Sequence, residues 1–149
     1  MGLAGCSASA PEGIADHEVA ASEIVLGDAV AAFYLSRQAS GGAGDNGSGF
    51  VGLVDADGNL SVLRTSGMDN GQLDWDESGL VFADTENDYH LADELTSKSS
   101  PKTNYQQAMF ATGDGDSLAL YNDGFTESGY VNQLVTTTSQ NAVSYTHLR

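Results

Sequence analysis

The chain has 149 residues, with 21 Asp and Glu against 5 Lys and Arg and a formal net charge of -16 at pH 7. That balance makes nucleic acid and anionic membrane surfaces poor partners, because both need clustered cations, and the single Cys excludes an internal disulfide framework. The length allows one domain or a piece of one, and 40% hydrophobic residues with six Tyr, five Phe and one Trp are enough to build a core.

The chain opens Met1-Gly2-Leu3-Ala4-Gly5-Cys6-Ser7-Ala8-Ser9 and continues as a run of small and polar residues through Gly13. Leu3-Ala4-Gly5-Cys6 resembles a bacterial or archaeal lipobox, the end of a lipoprotein signal peptide. The resemblance implies that the Cys6 thiol is alkylated with diacylglycerol and becomes the first residue of the mature chain. The basic and apolar regions ahead of such a site need roughly 15 residues or more, so the sequence is expected to begin inside the signal peptide. Residues 1–23 therefore read as signal-peptide end, lipidation site and tether, in which Ala15 to Ser22 permits a turn or two of helix.

From Val30 onward, apolar β-formers come in short bursts bounded by Gly, Asp, Asn or Ser: Val30–Leu35, Phe50–Val54, Leu60–Leu63, Leu80–Ala83, Ala108–Ala111, Leu118–Tyr121 and Tyr130–Val135. Such runs predict an all-β sandwich, barrel or propeller. The clearest local signal is Asp55-Ala56-Asp57-Gly58-Asn59, a turn that pairs Phe50–Asp55 with Asn59–Thr65 as an antiparallel hairpin. In the second of these strands, Leu60 and Val62 are expected on one face and Ser61 and Leu63 on the other, as in a half-buried strand. Gly41 to Gly49 and Thr96 to Lys102 read as loop insertions, and Thr103 to Gln107 as a weak helix.

Gly49 to Thr65 resembles the outer hairpin of a TolB-type or WD40-like propeller blade, with its apolar strand, D-x-D-G turn and strand ending in Leu-x-Thr. Leu73-Asp74-Trp75-Asp76-Glu77-Ser78-Gly79-Leu80-Val81-Phe82-Ala83 is similar to the W-S-P-D-G-x-x-I-A-F motif of the next blade. There Asp76-Glu77 stand in place of Ser-Pro, and Ser78-Gly79 in place of Asp-Gly. The resemblance implies that Trp75 packs between blades. Phe33, Phe82 and Phe110, 49 and 28 residues apart, are expected to mark corresponding positions. The fold expected is all-β: antiparallel four-stranded blades of an incomplete β-propeller, two to three in number, over residues 24–141.

The candidate sites are sparse. The Asp55 loop begins like a calcium loop, but Ser66 stands at its twelfth position where a bidentate Glu is needed, so a plain turn is expected. Gly113-Asp114-Gly115-Asp116-Ser117 is a single unit of a pattern that binds calcium only in tandem, and the Gly41–Gly49 run has no Lys after it to make a phosphate loop. His90, among Glu86, Asp88, Asp93 and Glu94, has the chemistry of a metal ligand or general base. One His makes a poor zinc site, however, and these carboxylates are expected to be solvated. Asp74, Asp76 and Glu77 beside Trp75 have the composition of a carbohydrate site. No catalytic triad assembles, since His17 lies in the tether and Cys6 is the lipidation candidate. No catalytic, cofactor-binding or metal residue is assigned.

The chain closes on Val143-Ser144-Tyr145-Thr146-His147-Leu148-Arg149. These residues can be encoded by GTC TCT TAT ACA CAT CTC CGA, which resembles the transposase end and adapter of short-read libraries. Residues 142–149 are therefore expected to be adapter-derived, which removes His147 from any site. The function expected is that of an exported lipoprotein anchored through Cys6, on the extracellular or periplasmic face of the cell envelope. Its blades would bind a protein or small molecule or act as a scaffold, without cofactor or nucleic acid. Two alternatives stay open: the N-terminal part of a propeller-fold hydrolase or dehydrogenase whose catalytic groups lie elsewhere, and a β-sandwich adhesion domain.

Overall fold

The computed structural model describes residues 10–37, 48–66, 73–84, 86–99, 106–127, 129–137 and 143–146. Among them the strands form three four-stranded sheets, each assembled from its own stretch of chain. The first sheet has the order β1-β4-β3-β2, from β1 (Glu18–Val19), β2 (Ala29–Arg37), β3 (Ser48–Asp55) and β4 (Leu60–Ser66). The second runs in chain order through β5 (Leu73–Asp76), β6 (Gly79–Ala83), β7 (Asn87–Leu91) and β8 (Leu95–Ser99). The third follows suit with β9 (Gln106–Ala111), β10 (Ser117–Thr126), β11 (Gly129–Thr137) and β12 (Val143–Thr146). Every pairing is antiparallel except β1 with β4, which is parallel. Consecutive meandering sheets packed one on the next are propeller blades, not the two interleaved sheets of a sandwich.

The Asp55 hairpin forms as its residues predict. Asp55 Oδ1 accepts the backbone N–H groups of Asp57 at 2.9 Å and Asn59 at 2.8 Å, and Oδ2 accepts the Asn59 side-chain amide at 2.8 Å. Gly58 supplies the positive φ of 85° that this turn demands. Hydrogen bonds from Asn59, side chain first, hold the Asp55 carboxyl below its ordinary range.

Several expectations are corrected. The Ala15–Ser22 helix is only a 3₁₀ turn, Ala15–His17, running straight into β1, because pairing with β4 satisfies the backbone there. Thr96–Ser99, read as loop, lies in β8, and Gln106-Gln107, read as helix, begin β9. The polar strand β8 closes the outer edge of its sheet and needs little apolar character. The second blade starts at Leu73, so Phe82 stands in a second strand whereas Phe33 and Phe110 stand in first strands. Phe82 is wholly buried and Phe110 is 49% exposed, so the three phenylalanines are not equivalent. In β4, Val62 and Leu63 are both buried, and the strand is covered on both faces there. Apart from these corrections, Val143–Thr146, expected to be adapter-derived, pairs with β11. An open strand edge accepts any β-prone segment, and a β-branched and aromatic tetrapeptide is one.

The core lies in the seams between sheets. Ile24, Val51, Leu53 and Leu63 meet Leu80, Phe82 and Leu91 between the first and second blades. Val81 and Ala83 meet Met109 between the second and third. Burying each of the large side chains contributes about 1.5–3 kcal/mol. The Leu26 N–H also donates to the Ala92 carbonyl at 2.8 Å, fixing the approach to β2 against the second blade.

On the far face of the first blade the Phe33 ring lies directly on Gly52, its register partner, where an added Cβ would overlap the ring. The Arg64 guanidinium sits 5.0 Å from the centre of the Phe50 ring and pairs with Glu18 Oε1 at 2.7 Å, which ties β1 to the sheet. Gly52→Ala should lower stability by about 1–3 kcal/mol by overpacking this contact. Gly52→Ala combined with Phe33→Leu should recover part of the loss in urea unfolding.

Candidate functional site

The polar chemistry of the described residues concentrates at the two seams of the second blade. Asp84, just beyond β6, is 6% exposed, and its carboxylate is fully engaged. Oδ1 accepts the backbone N–H groups of Glu86 and Asn87, each at 2.8 Å. Oδ2 accepts the Tyr89 hydroxyl at 2.8 Å and the Ser66 N–H of the first blade at 3.2 Å. Tyr89 stacks on Phe82 with ring centres 4.9 Å apart. Burial, then the hydrogen bond to Asp84 and that residue's charge, push the Tyr89 hydroxyl up to about 12.

The seam with the third blade pairs small apolar residues with a series of polar ties. Asp74 lies opposite Val81, and its Oδ2 accepts the Ala111 N–H at 2.8 Å. Asp76 accepts the Ser78 hydroxyl at 2.6 Å and the Ser78 N–H at 2.8 Å. These bonds, the hydroxyl first, hold its carboxyl below the usual range. His90 Nε2 lies 2.8 Å from the Ser78 carbonyl, a geometry that makes it the donor, and the same ring rests against Gly115. Lys98 Nζ reaches Asp116 Oδ1 at 2.7 Å, joining β8 to the loop before β10. Within that loop Asp114 accepts the Thr112 hydroxyl at 2.6 Å and the Asp116 N–H at 3.1 Å. Its acidic groups thus close a turn, as expected.

Asp88 is the exception. It is 5% exposed, and neither carboxylate oxygen has a hydrogen-bond partner. In register it lies between Ala83 of β6 and Lys98 of β8. Burial, then the nearby Asp84 charge, raise its pKa to about 6, with Lys98 acting the other way.

The residues singled out in sequence separate here. The cluster around His90 divides, with Glu86, Asp93 and Glu94 exposed and Asp88 buried rather than solvated. Sequence reasoning missed this because alternation in Asn87-Asp88-Tyr89-His90-Leu91 gives two faces, and only the neighbouring blade makes both of them interior. Among the described residues no group of three His, Cys, Asp or Glu is placed to hold a metal ion. Trp75 is 37% exposed, so it is not the inter-blade core residue expected; Val81 and Met109 fill that place. Asp74 and Asp76 beside it are engaged with backbone and with Ser78. The signal that could have pointed to the seam is Asp84, an acid closing an otherwise apolar run. Cys6, most of the Gly41–Gly49 run and His147 lie outside the described residues.

Among known proteins, the model of the family described as YycP, beta-propeller domain, matches residues 24–147. No curated protein and no solved structure matches the chain.

Two outcomes follow from the buried carboxylates. Asp84→Ala removes the acceptor for three backbone N–H groups and one hydroxyl, and should cost about 2–4 kcal/mol in denaturant unfolding. Asp88 has a folded pKa raised from 3.8 to about 6. Below about pH 4 it is protonated in both states and makes no difference. Between the two values only the folded chain keeps the proton, so stability falls as pH rises and the full penalty persists above about pH 6. The stability of Asp88→Asn relative to the natural sequence should therefore climb by on the order of 3 kcal/mol between pH 4 and pH 8, as checked by urea unfolding at both.

Proposed function

This chain belongs to the YycP β-propeller domain family, and on that premise we propose that its blades are a binding or scaffolding module of an exported protein held at a membrane by lipid on Cys6. The observation that carries the binding reading is the commitment of the seam's polar groups. Asp74, Asp76, Asp84, His90 and Asp116 each serve a neighbouring backbone or side chain of the same chain. Groups used in that way hold blades in register, and a rigid stack of blades offers its loops and edges to a partner.

The anchor rests on Leu3-Ala4-Gly5-Cys6, on the absence of any other Cys in the sequence, and on the small, polar residues that follow as a tether. The net charge of -16 suits a protein working outside the cytoplasm, where self-repulsion and hydration keep it dispersed. The blade hairpins that resemble TolB-type and WD40-like repeats support the same assignment to a cell-envelope module for a protein or small-molecule partner. The test is metabolic labelling with palmitate of the full-length gene product in a bacterial host. Label and membrane recovery are expected for the natural sequence and lost in Cys6→Ser. Equal labelling of the two would overturn the anchor.

A further inference from the structure

One of the ties between the second and third blades runs through a cation, Lys98. Lys98 has two anionic neighbours: Asp116 of the third blade, bonded at 2.7 Å, and Asp88, directly opposite it across the β7–β8 pair. Opposite residues of an antiparallel pair have Cβ atoms about 4.5–5.5 Å apart, within the sweep of a four-carbon lysine stem. Asp88 is buried with both oxygens unpartnered, while the Lys98 side chain keeps 42% of its surface exposed.

We propose that Lys98 is a latch operated by the proton on Asp88: it holds Asp116 when Asp88 is neutral and turns to Asp88 when Asp88 ionises, so that the second and third blades are tied more tightly in acid. The inference is independent of the anchor and of any ligand. A buried carboxylate that loses its proton must acquire a counter-charge or water, and Lys98 is the cation in register with it. The other titratable groups near the position are engaged elsewhere. Asp84, just beyond β6, repels a second negative charge. His90, on the same strand, is engaged with the Ser78 carbonyl, and Asp74, on β5, is engaged with the Ala111 N–H. The bonds that register an opened seam are the Thr112 N–H to the Asp116 carbonyl, in the loop Lys98 releases, and the Ala111 N–H, at the end of β9, to Asp74.

The test follows the Asp88 carboxyl carbon and the Lys98 Nζ by NMR in the isotope-labelled full chain from pH 4 to pH 8, together with amide exchange at Ala111 and Thr112. In the natural sequence Lys98 should shift with the same midpoint as Asp88. Exchange at the two amides, corrected for intrinsic rates, should rise by about tenfold across that midpoint. Asp116→Asn, which removes the competing negative charge and leaves Lys98 to Asp88, should lower the Asp88 midpoint by about one pH unit, and Lys98→Gln should raise it. In Asp88→Asn the Lys98 signal should be flat over this range. A Lys98 signal in the natural sequence that ignores the Asp88 midpoint, or an Asp88 midpoint unmoved in both Asp116→Asn and Lys98→Gln, would overturn the latch.

Discussion

The structure depends on the burial of β6 on both faces. Gly79 to Ala83 are all buried, with Leu80 and Phe82 turned to the first blade and Val81 and Ala83 to the third. A lone sheet cannot do this, because one face of an isolated meander stays wet. The central strand of the second blade thus forces a neighbour on each side, and the order of blades along the chain follows from short connections that bring the next sheet onto the free face. The first strands β2, β5 and β9 then run beside one another, as Tyr34 shows by touching both apolar clusters.

The two seams made in this way are not alike. The first is filled by large side chains, Phe82, Leu91, Val51 and Leu53 among them. Among the described residues the second has Val81, Ala83 and Met109 at its centre, with polar ties beside them. Those ties lie where the acidic composition of the chain becomes structural. An acid facing backbone N–H groups, as Asp74 and Asp84 do, is stabilised by them. An acid enclosed without donors, as Asp88 is, makes the seam respond to pH. A strongly negative chain can therefore pack its blades without matching each acid to a base, since most of the seam's acids take peptide dipoles instead.

Much of this was legible in the residues themselves. The bursts of β-formers located most strands, and Asp55 to Asn59 determined a hairpin down to its register, because a turn with one required glycine and a capping acid leaves few alternatives. Short polar strands were not legible. Leu95–Ser99 has one apolar residue, and its strand exists because β7 presents an edge to it. Glu18–Val19 is likewise a strand only because β4 lies alongside and Arg64 clasps Glu18. The motif around Trp75 showed where a hairpin lies but not which of its side chains would be enclosed.

What the sequence alone determined is local: the alternation of apolar bursts with turn residues, the all-β class, the blade hairpins and the excess of acid. Each depends on neighbours within a few residues, where backbone sterics and side-chain capping act. Only the tertiary structure decided which faces are interior, and with that the difference between Asp84, which is satisfied, and Asp88, four residues on, which is not. Burial is a property of the opposing sheet. Because desolvation sets the cost of a charge, the chemistry of an acid in this chain was settled by the blade that packs against it.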